Sequence, residues 1–171
     1  MAVFKIGDRV AVRQVGVGSV MGVNKNEAFG AGREFYEIRP DKQTSTIYIP
    51  TDINPADRGL RKVMSAKQAR QVYEVLATRT APVSDVEWRR ALKERQKASE
   101  INDQAALVRD MQARVQIRRL STQEKAYLEK AVDVLVEEMA EALGQSHEEV
   151  KQAVDRALQE GTALEKAPTP N

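Results

Sequence analysis

The stretch Val15-Gly16-Val17-Gly18-Ser19-Val20-Met21-Gly22-Val23 decides the N-terminal fold. β-Branched residues recur through it, and glycine breaks it at intervals. Valine suits a pleated, half-buried surface, and glycine inside a strand marks a bulge or sharp bend. Just before it, Arg9-Val10-Ala11-Val12-Arg13 alternates, with Val10 and Val12 on one face. After it come a loop from Asn24 to Gly32, with Gly30-Ala31-Gly32 as turn chemistry, and a strand from Arg33 to Arg39 that sets Phe35 opposite Tyr36 and Ile38. Pro40 to Gln43 form the next turn. Thr44 to Ile49 are β-prone and end at Pro50, which cannot donate to a ladder and suits a strand end or sheet edge. Four or five short strands in residues 1–62 predict an SH3-like or Tudor-like small β-barrel.

Asp52 to Leu60 connect this unit to a region of helical period. Ser65 can cap a helix carrying Ala69, Val72, Tyr73 and Leu76, which Ala81-Pro82 ends. Ser84…Glu87, Ser121…Glu124 and Ser146…Glu149 each have capping-box spacing. A further helix is expected from about Asp103 to Ile117. The stretch 122–142 carries an apolar stripe of Tyr127, Leu128, Ala131, Val132, Leu135, Val136 and Met139, which reads as core. Gly144 and Gly161 are placed as helix stops. The expected class is therefore two-domain α+β: a small barrel over 1–62, an all-α domain over 63–161, and a disordered tail over 162–171.

Composition narrows the function classes. There is no Cys and one His among 171 residues, which removes thiolate chemistry and leaves His147 alone for metal or acid–base work. Glu137-Glu138 and Glu148-Glu149 read as solvated faces. Gly16-Val17-Gly18 lacks the Lys and the following helix of a phosphate loop. No catalytic residue, metal site or cofactor is expected. Met1 to Gly7 holds no apolar run of signal-peptide length, and no later stretch approaches the roughly 18 residues of a membrane span. A cytoplasmic protein is expected.

Charge is unevenly spread. Residues 1–62 carry 10 Lys/Arg and 7 Asp/Glu, residues 63–120 carry 12 and 7, and residues 121–171 carry 5 and 11. The middle excess centres on Trp88-Arg89-Arg90-Ala91-Leu92-Lys93-Glu94-Arg95-Gln96-Lys97. At 100° per residue, Arg89, Arg90, Lys93 and Lys97 share an arc of roughly 100°, a stripe able to follow a phosphate backbone. Arg90–Glu94 is an i,i+4 pair that could neutralise part of it. Trp88 points away from the middle of the stripe, toward Leu92 and Arg95, which favours burial. Its place in the first turn also allows an indole that projects off the helix tip toward a base.

These residues, taken in order, resemble the CarD (CdnL) family of bacterial RNA polymerase-binding transcription regulators, whose first module is similar to the polymerase-interaction domain of transcription-repair coupling factors. The resemblance runs through Phe4-Lys5-Ile6-Gly7-Asp8-Arg9-Val10, Gly16-Val17-Gly18-Ser19-Val20, Glu34-Phe35-Tyr36-Glu37-Ile38, Ile47-Tyr48-Ile49-Pro50, Gly59-Leu60-Arg61, Glu87-Trp88-Arg89-Arg90, Lys97-Ala98-Ser99-Glu100-Ile101, and Leu120-Ser121 with Glu124-Lys125. Nothing in the sequence demands a dimer, so a monomer is expected. The resemblance implies docking on the RNA polymerase β subunit by edge pairing through Thr46, Ile47, Tyr48 and Ile49, with Asn26 on the neighbouring hairpin. It further implies promoter DNA at the upstream edge of the melted region as second partner. There Trp88 would act as a minor-groove wedge, and Arg90 and Lys93 match backbone-contacting positions; Arg89 and Lys97 join them from the stripe. Ala91 and Tyr48 depart from residues found in some relatives. A polymerase-associated adaptor without DNA contact is the alternative reading, and a carboxylate hydrolase is a weaker third.

Overall fold

A computed structural model describes residues 3–30, 32–80 and 84–162. The expected break at Ala81-Pro82 and the tail beyond Thr162 lie outside them.

The N-terminal half is a curled antiparallel sheet of five strands: β1 (Arg9–Val12), β2 (Gly16–Lys25), β3 (Glu34–Pro40), β4 (Ile47–Pro50) and β5 (Leu60–Lys62). Their order is β4-β3-β2-β1-β5, so the half-barrel has β4 and β5 as its edges. Alternation selects the inner face: Val10, Val12, Val20, Tyr36, Ile38, Ile49 and Leu60 form one cluster with Phe4. The register of β2 against β3 shifts between Val20 and Gly22, the bulge that the glycine punctuation predicts. One-turn 3-10 helices at Glu27–Phe29 and Pro55–Arg58 close the two loops.

Five helices follow: α1 (Ala66–Ala77), α2 (Asp85–Arg95), α3 (Ile101–Ile117), α4 (Thr122–Leu143) and α5 (His147–Thr162). Ser65, Ser84 and Ser121 are capped reciprocally by Gln68, Glu87 and Glu124, and Ser146 with Glu149 makes the same pair of bonds. Each such cap contributes about 1 kcal/mol. Gly144 ends α4 in the left-handed region. Gly161 is a correction: it does not stop α5 but lies inside its last turn. A Cβ there would fall 1.9 Å from the Leu76 carbonyl oxygen of α1, so the glycine is required by the close crossing of α1 and α5.

The second core joins α1, α3, α4 and α5 through Ala69, Val72, Leu76, Ala105, Val108, Met111, Leu135, Val136, Met139, Val150 and Val154. The two halves are fastened along one edge of α4. Arg9 Nε donates to Glu141 Oε1 at 2.8 Å while the same guanidinium holds Asp41. Lys42 Nζ lies 3.4 Å from Glu137. Glu138 is the second correction. It is 1 % exposed rather than solvated, because Arg61 of β5 pairs with both its oxygens and the Met64 N–H donates to it at 2.8 Å. Arg9 draws Asp41 below the usual carboxylate range by a direct hydrogen bond, against the opposing cost of burial. No helix among the described residues is long and apolar enough to cross a membrane.

Candidate nucleic-acid and protein interfaces

α2 carries the cationic stripe. Its N-terminus is set by the Ser84–Glu87 capping box, which also draws the Glu87 carboxyl below its ordinary range, chiefly through the Ser84 hydroxyl. Arg89, Arg90 and Lys93 are exposed on α2; Lys97 is a correction, because α2 ends at Arg95 and Lys97 lies exposed in the turn that follows, off the helical arc expected of it. Among the described residues none of the four forms an ion pair, and the Arg90–Glu94 pair is absent. Arg89 Nε makes only a long bond, 3.4 Å, to the Asp85 carbonyl of its own helix. Arg95, one step off the stripe, is turned inward to Asp110 of α3 at 2.8 Å. The helix thus separates its basic residues by face: those facing the bundle are neutralised and those facing outward are not.

Trp88 does not project off the helix tip. It is 2 % exposed and is the one buried residue of α2. The indole N–H donates to Glu124 Oε1 at 3.2 Å, at the start of α4. The Arg114 guanidinium of α3 lies over the ring at 5.1 Å. Arg114 and Arg118 both pair with Asp85, the first residue of α2. The Glu124 carboxyl is held low mainly by the Ser121 backbone N–H, with the indole bond adding to this against burial. The ring is therefore sandwiched where α2, α3 and α4 converge. Val86, 66 % exposed, is the apolar residue that α2 shows to solvent near its tip.

On the sheet, β4 pairs with β3 alone, in the register Tyr36↔Ile49, Glu37↔Tyr48 and Ile38↔Ile47. Its outer row of backbone groups can accept another strand. Ile49 is buried on the inner face, Ile47 is half-buried, Thr46 precedes the strand, and Tyr48 is 38 % exposed on the outer face. Phe29, 54 % exposed, lies with its ring 5.4 Å from both Tyr48 and Phe35. The sequence reading missed Phe29; a lone aromatic in a loop of Ala and Gly was the signal. Asn26 positions it, accepting the Ala28 N–H at 3.0 Å as cap of the 3-10 turn. The edge, the aromatic pair and Asn26 thus lie together, while the basic face of α2 belongs to the other half of the chain.

Residues 4–64 match the family described as the CarD-like/TRCF RID domain, and residues 71–155 match the CarD C-terminal domain. This chain belongs to the CarD family. The two matches follow the change from sheet to helices and leave only residues 65–70, the cap and first residues of α1, between them. A relative from Bacillus subtilis (strain 168), "Putative transcription factor YdeB", is 23% identical over 154 residues, covering 86% of this chain and 97% of its own length. CarD proteins are a transcription-related family, not a known class of enzyme. Among the described residues no group of His, Asp and Glu is placed to hold a metal ion.

Proposed function

We propose that this CarD-family chain binds the RNA polymerase β subunit through the outer edge of β4 and stabilises the open promoter complex by non-sequence-specific contact of α2 with DNA at the upstream edge of the bubble. The observation that carries the reading is the face formed by Arg89, Arg90, Lys93 and Lys97, exposed and without acidic partners among the described residues, in a chain whose sheet keeps one strand edge open. Phosphate contacts of this kind position a protein without reading bases. Edge pairing by Thr46, Ile47, Tyr48 and Ile49, flanked by Asn26 and Phe29, supplies a partner surface of backbone bonds with side-chain pockets.

Trp88 enters differently from the expectation. To reach a separated base it would have to leave its site, at a burial cost of about 2–3 kcal/mol and the loss of a cation–π contact of about 1 kcal/mol. Stacking on a base returns about 1–3 kcal/mol. The exchange has no clear surplus, so the proposal rests on the cationic face, with the indole as its support. The burial of Trp88 favours the second reading, a polymerase-associated adaptor without DNA contact.

Two results separate the readings. Arg89→Glu with Lys93→Glu is expected to flatten the salt dependence of promoter engagement by about two phosphate contacts and to shorten open-complex lifetime. An unchanged lifetime would leave only the adaptor. Tyr48→Pro, which removes a backbone donor from the outer edge of β4, is expected to abolish capture by an isolated β lobe. Capture at the parent level would move the polymerase contact to another face.

A further inference from the structure

The β1–β2 turn of the barrel reaches across to the chain just beyond α2. Arg13 Nη1 donates to the Lys97 carbonyl and lies 3.4 Å from the Ala98 carbonyl. Gln104 of α3 donates to that second carbonyl at 3.1 Å. These oxygens follow the end of α2 (Asp85–Arg95), where the backbone has left its helical ladder, and a guanidinium is the group best shaped to hold two of them.

The base of Arg13 is itself fixed. Its N–H donates to the Gly59 carbonyl at 2.9 Å. Gly59 has φ +70° and no Cβ; a Cβ there would lie 2.6 Å from that of Arg13. The next residue, Gln14, is left-handed at φ 61°. The turn lines a small internal cavity of about 20 Å³ with Tyr127, Leu135 and Glu138. Arg13 and Gln14 of the turn are half-buried against it, and burial pushes the Tyr127 phenol up.

The remaining ion pairs and side-chain hydrogen bonds described above between barrel and bundle run to α4, through Glu137, Glu138 and Glu141. Among the described residues, Arg13 extends them to the segment that carries Lys97. We infer that Arg13 is a positioning residue, one that fixes the end of the basic helix relative to the barrel, so that the chain acts as a rigid spacer and not as a loose tether. Its consequence for transcription rests on the proposed function; its structural content does not.

Because the chain has no Cys, Lys25→Cys and Lys97→Cys can carry a spin-label pair without background. Distances are measured in the full chain, free of polymerase and DNA. One narrow distribution is expected with Arg13 present, a broadened or shifted one with Arg13→Ala, and partial recovery with Arg13→Lys, which keeps a donor. Equal narrow distributions in all three overturn the inference, and a melting midpoint measured on each variant separates misfolding from repositioning. In the unlabelled chain, Arg13→Ala is expected to keep β-lobe binding and lose about tenfold of the open-complex lifetime effect, the scale of a charge-assisted bond. An altered distance with a full lifetime effect overturns the spacer role. A parent chain that leaves lifetimes unchanged overturns the proposed function and leaves the distance result standing.

Discussion

Replacing Glu138 by alanine is expected to destabilise the folded chain by about 3 kcal/mol or more, the scale for breaking one side of a buried ion pair. Glu138 is 1 % exposed and holds three groups at once: both terminal nitrogens of Arg61 and the Met64 N–H. Its removal leaves the Arg61 guanidinium, 21% exposed, beside the helices without its counter-ion, and strands a backbone donor at the entrance to α1. At a typical urea slope of about 2 kcal/mol/M, the midpoint should fall by about 1.5 M. The double variant Arg61→Met with Glu138→Leu should recover much of the loss, because an apolar pair of similar volume needs no desolvated charge. A midpoint within about 0.3 M of the parent for Glu138→Ala alone would mean that the junction of sheet and bundle is not held there.

Trp88→Ala is expected to cost about 3–4 kcal/mol, the lower part of the range for a large aromatic lost from a core, since the site lies at the margin of the bundle and can partly collapse. The loss removes the support of α2 together with the Glu124 bond and the Arg114 stack. Trp88→Phe keeps a ring under Arg114 and loses the N–H donor, and should cost about 1 kcal/mol. As the single Trp of the chain, Trp88 also reports its own burial: parent fluorescence should resist iodide quenching. Strong quenching, or an alanine variant as stable as the parent, would show the indole outside the bundle. An alanine variant that fails at promoters therefore says little about DNA contact until its stability has been measured; the phenylalanine variant is the informative one.

Local chemistry made most of the architecture readable. The glycine-broken valines of β2, Pro50 at the end of β4 and the Ser–Glu spacings at 84, 121 and 146 each state a backbone requirement within a few residues. Trp88, Glu138 and Gly161 were harder because their environments are assembled from distant parts of the chain. The helical wheel set Trp88 near Leu92, but only the arrival of Glu124, 36 residues on, and of Arg114 settles that the indole is covered. Glu138 looks like Glu137, its neighbour in an acidic pair; what separates them is Arg61, 77 residues earlier. Gly161 reads as a stop unless α1 is known to press its Leu76 carbonyl against it. Arg89, Arg90 and Lys93 of α2 were legible because exposure follows from charge and period; the place of Lys97 was not, because α2 ends at Arg95 and the period stops with it. Their freedom from acidic partners was not legible, since it depends on which basic residue of α2 turns inward to Asp110 of α3, and that is Arg95.

In the proposed complex β4 faces polymerase while the basic face of α2 faces DNA. The direct measurement is site-specific photo-crosslinking in a polymerase–promoter open complex, with the reactive residue placed at Tyr48 in one preparation and at Arg90 in another. Adducts are expected to the β subunit from position 48 and to DNA at the upstream edge of the bubble from position 90. Adducts from position 90 to protein alone, with DNA unlabelled, would contradict that arrangement.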